Sequence, residues 1–151
     1  MHSKLIHEAN GQRTWALIFD TGDEVMAVLK AFASHNQLAA SHFTAIGAFK
    51  DVMLAYLDWE KKEYRKIPID EQVEVLVLAG DVAEKDAKPA VHAHCVVGRP
   101  DGSTRGGHLL WGHVRPTLEV VLTESPAHLR KTIHDASGLP LIDISASDAA
   151  V

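Results

Sequence analysis

Along most of this chain, apolar and polar residues alternate at the two-residue period of a β-strand rather than recurring at helical spacing. Residues 3–20 read as a hairpin. Asn10-Gly11 favours a tight two-residue turn, and Thr14-Trp15-Ala16-Leu17-Ile18-Phe19 forms a strongly apolar second arm. The first helical stripe is Val25, Met26, Val28, Leu29 and Phe32, opened by Thr21-Gly22-Asp23, whose hydroxyl and carboxylate can cap free backbone amides. Strands are then expected at Phe43–Phe49, with Gly47 marking a bulge or close approach, and at Val52–Trp59. Glu63–Ile69 is polar and suits an edge, whereas Glu74–Gly80 suits a buried strand. Further on, Leu118–Thr123 is a strand. Pro126–Asp135 reads as a second helix with proline in its first turn, ended by Gly138-Leu139-Pro140. Leu141–Ile144 is a last strand, and the small polar tail from Ser145 to Val151 is expected to fray.

Strands succeed each other through short turns and outnumber helices about three to one, so antiparallel pairing should dominate. The expected fold is α+β: a mainly antiparallel, curved or barrel-like sheet with two covering helices. A chain of 151 residues suits one domain, 1–151, with its core at about residues 5–144. No repeat, linker, phosphate-binding glycine loop, nucleophile elbow or paired-cysteine motif interrupts it.

Charge narrows the function. Twenty acidic residues against fifteen basic ones give a formal charge of -5, a poor basis for sequence-independent contact with phosphates. Lys61, Lys62, Arg65 and Lys66 cluster, but Glu60 and Glu63 interrupt them, as in a solvated strand edge. The single cysteine, Cys95, has no partner for an internal disulfide and reads as a buried core thiol. No apolar run is long enough to span a membrane and no signal-type segment opens the chain, so the cytoplasm is the expected compartment.

The chemistry concentrates in one expected hairpin. Val91-His92-Ala93-His94-Cys95 leads into Gly98-Arg99-Pro100-Asp101-Gly102, and the chain returns through Gly106-Gly107-His108-Leu109. In a strand, His92 and His94 point to one face about 7 Å apart, with Cys95 on the other. Three neutral imidazoles plus a water make the usual open zinc site, and His108 is the natural third ligand. Register decides whether it joins them. A one-residue slip would turn His108 to the opposite face, and a bulge at Gly106-Gly107 could settle the matter either way. His113 is a fourth candidate of opposite parity. The alternative is a pair of half-exposed polar residues on a solvated face.

Taken in order, Gly47-Ala48-Phe49, Tyr64, Glu74–Gly80, His92-Ala93-His94, Gly98–Gly102, Gly106-Gly107-His108-Leu109 and Thr117–Leu122 resemble the plants-and-prokaryotes conserved (PPC) domain across roughly residues 5–144. The resemblance implies a compact α+β homotrimer, standing alone in prokaryotes, with His92, His94 and His108 as ligands of a metal, zinc foremost, one per subunit. It also carries a provisional DNA-binding label. In plants the domain follows AT-hooks, which need an Arg-Gly-Arg-Pro core flanked by basic residues. Here Gly98-Arg99-Pro100 is followed by Asp101 and reads as turn chemistry, so specific DNA binding is not expected.

Two classes of function remain open at this point. One is a metal-holding regulatory or interaction module, partnered by itself and by another protein or a small molecule, with a DNA-binding regulator, as the family label suggests, as its variant. The other is a zinc-dependent hydrolase or lyase. For the latter, Glu74 and Glu119 are the catalytic candidates, each of which could equally anchor a histidine or pair at a subunit interface. Whether the fourth metal position is open to a pocket or filled by a residue such as His113 distinguishes the classes.

Overall fold

The computed structural model describes residues 1–148. Their strands are β1 (His2–Ala9), β2 (Gln12–Phe19), β3 (Ala40–Asp58), β4 (Glu63–Ile69), β5 (Val73–Lys85), β6 (Lys88–Gly98), β7 (Thr104–Glu124), β8 (His128–Ile133) and β9 (Pro140–Asp148), with one helix, α1 (Val25–His35), after β2. All nine strands belong to one sheet ordered β1-β2-β7-β3-β5-β8-β9, with β4 on β3, and with β6 pairing both β5 and β7. Every strand pair is antiparallel except the short β5–β8 contact at Glu84 and Arg130.

β3 and β7 organise the molecule. Each spans what the sequence pattern divides into two strands. The alternation of Phe43–Phe49 continues into Val52–Trp59 because register shifts at Ala45/Gly47, Gly47/Phe49 and Phe49/Asp51 bend the strand without ending it. Gly47 is needed there: a side chain would collide with the Thr117 carbonyl of β7. The bend lets β3 pair β5 and the second half of β7 through its first half, and β4 and the first half of β7 through its second. The sheet is therefore curved and ring-like, but it is not a barrel.

The core lies inside this curve. Trp15, Leu17 and Phe19 of β2, Phe43 and Phe49 of β3, and Leu118, Val120 and Leu122 of β7 are all buried. Helix α1 closes the core with Val25, Met26, Leu29, Phe32 and Ala33, and Phe32 meets Trp15 edge-on with ring centroids 5.7 Å apart. Its cap is Glu24 rather than Thr21, Gly22 or Asp23. The Glu24 carboxylate accepts from the Met26 and Ala27 amides at 2.9 and 2.7 Å, and from the Gly112 amide of β7 at 3.3 Å, tying the helix start to the sheet.

Two expectations at the C-terminal end are corrected. Residues 126–135 form no helix, and α1 is the only helix among the described residues. Leu129 and Ile133 have helical spacing, but β9 offers Leu141, Ile142 and Asp143 as a ladder for Thr132, Lys131 and Arg130, and the Leu129 amide donates to the Ala39 carbonyl. Long-range pairing overrides the local signal. The tail is likewise ordered at 145–148. Ser147 accepts from the Arg130 amide and donates to the Asp143 carbonyl, and Arg130 binds the Ala146 carbonyl at 2.9 Å. Residues 149–151 of the expected tail lie outside the described residues.

Candidate metal centre

The β6–β7 hairpin settles the open register. His94 stands directly opposite His108, Cys95 opposite Gly107, and no shift interrupts the ladder. Directly paired residues share a face, so His108 joins His94 and His92. The glycines serve close approach instead of a bulge: a side chain on Gly107 would strike the Ala55 carbonyl oxygen of β3, 2.5 Å from its Cβ. One nitrogen from each ring lies within 4.8 Å of the others, and no fourth ligand joins them among the described residues. Ring centroids are 5.1 Å apart for His92–His94 and His92–His108, and 5.4 Å for His94–His108.

Neighbouring elements hold the rings in place. Tyr64 of β4 stacks on His108 with centroids 4.8 Å apart. Asp81 of β5 lies opposite His92 in the β5–β6 ladder and meets its Nδ1 at 3.3 Å through Oδ2. That fixes Nε2 as the nitrogen of His92 left for other partners. The Lys131 ammonium of β8 donates to Asp81 Oδ1 at 2.5 Å, with a side chain only 4% exposed. His108 Nδ1 is buried with no hydrogen-bond partner among the described residues. Such an atom is costly unless something binds it.

The other sequence candidates lie elsewhere. Glu74 faces solvent opposite Gly98, about 16 Å along β5 from the residue that opposes His94. Glu119 is exposed between Ile18 and Ile46, far along β7 from His108. His113 is hydrogen-bonded through Nδ1 to Asp51 at 2.5 Å, outside the triad. Cys95 is buried on the opposite face, and burial pushes its thiol up to about 12, too high for a thiolate at neutral pH. Arg99 and Pro100 sit in the hairpin turn, closed by Arg99–Ser103 and Gly102–Arg99 backbone bonds of 2.9 Å.

The triad lies in a cleft of about 630 Å³. Ala55, Tyr56, Leu57 and Tyr64 form one side, Ala90 and Val91 flank His92, and Leu139, Pro140 and Leu141 bring the β8–β9 turn over Lys131. Among the described residues of its lining there is no carboxylate.

The model of the Plants and Prokaryotes Conserved (PCC) domain matches residues 6–126. The chain belongs to the PCC domain family. The matched stretch includes the whole triad and Asp81 but stops before Lys131. No curated protein matches the chain. Among solved structures, a plant- and prokaryote-conserved protein of Pyrococcus horikoshii is 31% identical, with a TM-score of 0.81 over 87% of this chain and 91% of that one. A metal-containing protein of Archaeoglobus fulgidus is 34% identical, with a TM-score of 0.80 over 85% and 91%. A protein of Bacteroides thetaiotaomicron that carries a provisional DNA-binding name shares the fold at 23% identity and a TM-score of 0.83, over 92% and 96%.

Electrostatics disfavour a proton on two of the PCC triad's imidazoles, His108 and His94. Burial, reinforced by His92, His94 and Lys131, pushes His108 down to about 4. Burial, then His92, also lowers His94, against the pull of Asp81. Burial alone would raise the Asp81 carboxyl, but hydrogen bonds from His92 and Lys131 and their charge hold it below its usual value. An unfolded imidazole takes its proton near 6.5 and folded His108 near 4, so in between the unfolded chain binds more protons. Chelator-treated protein should be unaffected by this group above pH 6.5 and lose stability as pH falls from 6.5 towards 4. Urea titrations across that window should show a shallower loss for His108→Gln than for the unsubstituted chain. Parallel curves would contradict the assignment.

Two residues of the site escaped the sequence pattern. Asp81 follows Gly80, where the buried-strand pattern of Glu74–Gly80 ends, and the signal that could reveal it is the tight Asp86-Ala87 turn, both residues with positive φ, that sets it opposite His92. Lys131 falls in the segment that reads as a helix, so no local pattern points it at the hairpin.

Proposed function

We propose that this PCC domain is a zinc-holding homotrimeric module whose three-histidine centre binds a small molecule. The reading is carried by one observation: three imidazoles converge at the floor of an otherwise largely apolar cleft. The residues fit such an ion. An all-imidazole donor set suits zinc and its transition-metal neighbours, not magnesium or calcium. The orphaned His108 Nδ1 and the lowered proton affinity of His108 and His94 favour a lone-pair acceptor over a proton. One nitrogen of each ring already lies within 4.8 Å of the others, so the three residues would together hold such an ion. The similarity to a metal-containing archaeal protein points the same way. Bound zinc would supply a Lewis-acidic centre with a position facing the cleft.

The test is metal content after purification without chelator or nickel resin, with one zinc per chain expected. Stoichiometry near zero after zinc addition would overturn the proposal. Asp81→Asn would leave His92 without its charged anchor and Lys131 without its counter-ion. Zinc affinity should fall by roughly 10- to 100-fold, measured by competition with a chromogenic chelator.

The homotrimer draws support from the outer sheet face, which exposes Ile46, Val121, Leu76, Val77 and Val96, with Ile46 at 61%. Cyclic assembly would bury such a face and leave no open edge. Sedimentation should give about 50 kDa for the chain and close to the monomer for Ile46→Asp. A monomeric unsubstituted chain at micromolar concentration would refute it.

A second reading, a zinc-dependent hydrolase or lyase, is favoured by the cleft itself. It lacks a free base, because Glu74 and Glu119 are remote and both Asp81 oxygens are engaged. The ligand-binding module therefore stands first. Specific DNA binding is no part of it, given the net charge of -5. No described helix is long and apolar enough to cross a membrane. The cytoplasm is part of the proposal.

A further inference from the structure

We propose that the cleft takes a small monocarboxylate with an apolar body, its carboxylate held between the metal and the Lys131 ammonium. The inference rests on the metal reading above and adds the chemical class of the ligand.

Lys131 is the reason for a carboxylate. Its side chain is 4% exposed, yet it lines the cleft beside the triad. An ammonium carries three donors, and Asp81 Oδ1 is its one protein acceptor among the described residues. Two donors remain for whatever enters. Charge points the same way. Asp81 and Lys131 cancel, and three neutral imidazoles leave a bound dication uncompensated, with no carboxylate in the lining to balance it. An incoming anion would supply that balance beside an ammonium whose own side chain is almost fully buried.

Phosphate fits less well. Phosphate sites gather several donors, from arginine forks or helix N-termini. Here there is one ammonium and no arginine in the lining, and the only described helix has its N-terminus occupied by Glu24. One ammonium and one metal position match the two oxygens of a carboxylate. Val91, Leu139, Leu141 and the ring of Tyr64 offer a hydrocarbon or aromatic body its surroundings. The cleft of about 630 Å³ lies within the range of small-molecule sites.

Benzoate, benzamide and inorganic phosphate are the probes, titrated calorimetrically into protein whose zinc content has first been measured. Benzoate should bind at least about tenfold tighter than benzamide, the difference a charge-assisted hydrogen bond makes, and tighter than phosphate. Lys131→Met should lose that preference while keeping its zinc. In the cobalt-substituted unsubstituted chain, which needs no variant to fold, benzoate should change the visible spectrum and benzamide should not. Equal binding of benzoate and benzamide, tighter binding of phosphate, an unaltered cobalt spectrum at saturating benzoate, or a Lys131→Met variant with full benzoate affinity would each overturn the carboxylate assignment while leaving the metal reading intact. Absence of zinc from the unsubstituted chain would overturn the metal reading, and this inference with it.

Discussion

His108→Ala is expected to lower zinc affinity by about a thousandfold or more, well beyond the roughly 10- to 100-fold cost of losing an outer carboxylate. Two imidazoles from one strand cannot enclose an ion, and His108 is the only ligand candidate contributed by the opposing strand. The replacement also leaves Tyr64 without its stacking partner, so part of the cleft wall should loosen. His113→Ala is the matched control. That ring lies on another part of β7 and bonds Asp51 of β3, and zinc affinity should stay within about threefold of the unsubstituted value. Competition titrations with a chelator of known affinity read both variants. Equal losses at His108 and His113, or none at His108, would remove the hairpin as the metal centre.

The legible part of this site was what one strand can encode. The parity of His92 and His94 follows from a two-residue period and holds without knowledge of any neighbour. Whether His108 meets them depends on pairing between strands, and no local pattern in Gly98–Gly107 fixes it. Asp81 and Lys131 are more remote still. Asp81 reaches His92 through a ladder on the other side of β6, and Lys131 arrives from β8, fifty residues along the chain from its partner Asp81. The fold divides the same way. The Asn10-Gly11 hairpin and the stripe of α1 are local and match the expectation. The sequence pattern breaks β3 and β7 because a register shift looks like a strand end when the partner strands are unknown. The 126–135 segment has helical apolar spacing, and only β9 makes it a strand.

Core and site meet at Gly80, and Gly80→Val is expected to disrupt both. The residue stands opposite Ala93, between the pairs Asp81–His92 and Ala79–His94. A side chain there would collide with the His92 carbonyl oxygen on one side and the Phe43 ring on the other. Neither neighbour can yield easily. The carbonyl belongs to the β6 backbone, and Phe43 is 1% exposed in a packed core. Overpacking of this kind costs about 1–3 kcal/mol where side chains can shift, and more where backbone must move. A loss of at least about 3 kcal/mol is expected for valine, a large part of the stability of an ordinary domain, and alanine should lose less. Because the collision pushes on His92 itself, zinc affinity should fall in whatever protein still folds. Phe43→Leu combined with Gly80→Ala should recover part of the stability lost by Gly80→Ala, since the smaller side chain relieves one of the two collisions. Urea unfolding midpoints of the single and double variants measure this coupling. Strictly additive losses would mean that β5 can shift away from Phe43, and that the His92 strand is not held as tightly as this packing requires.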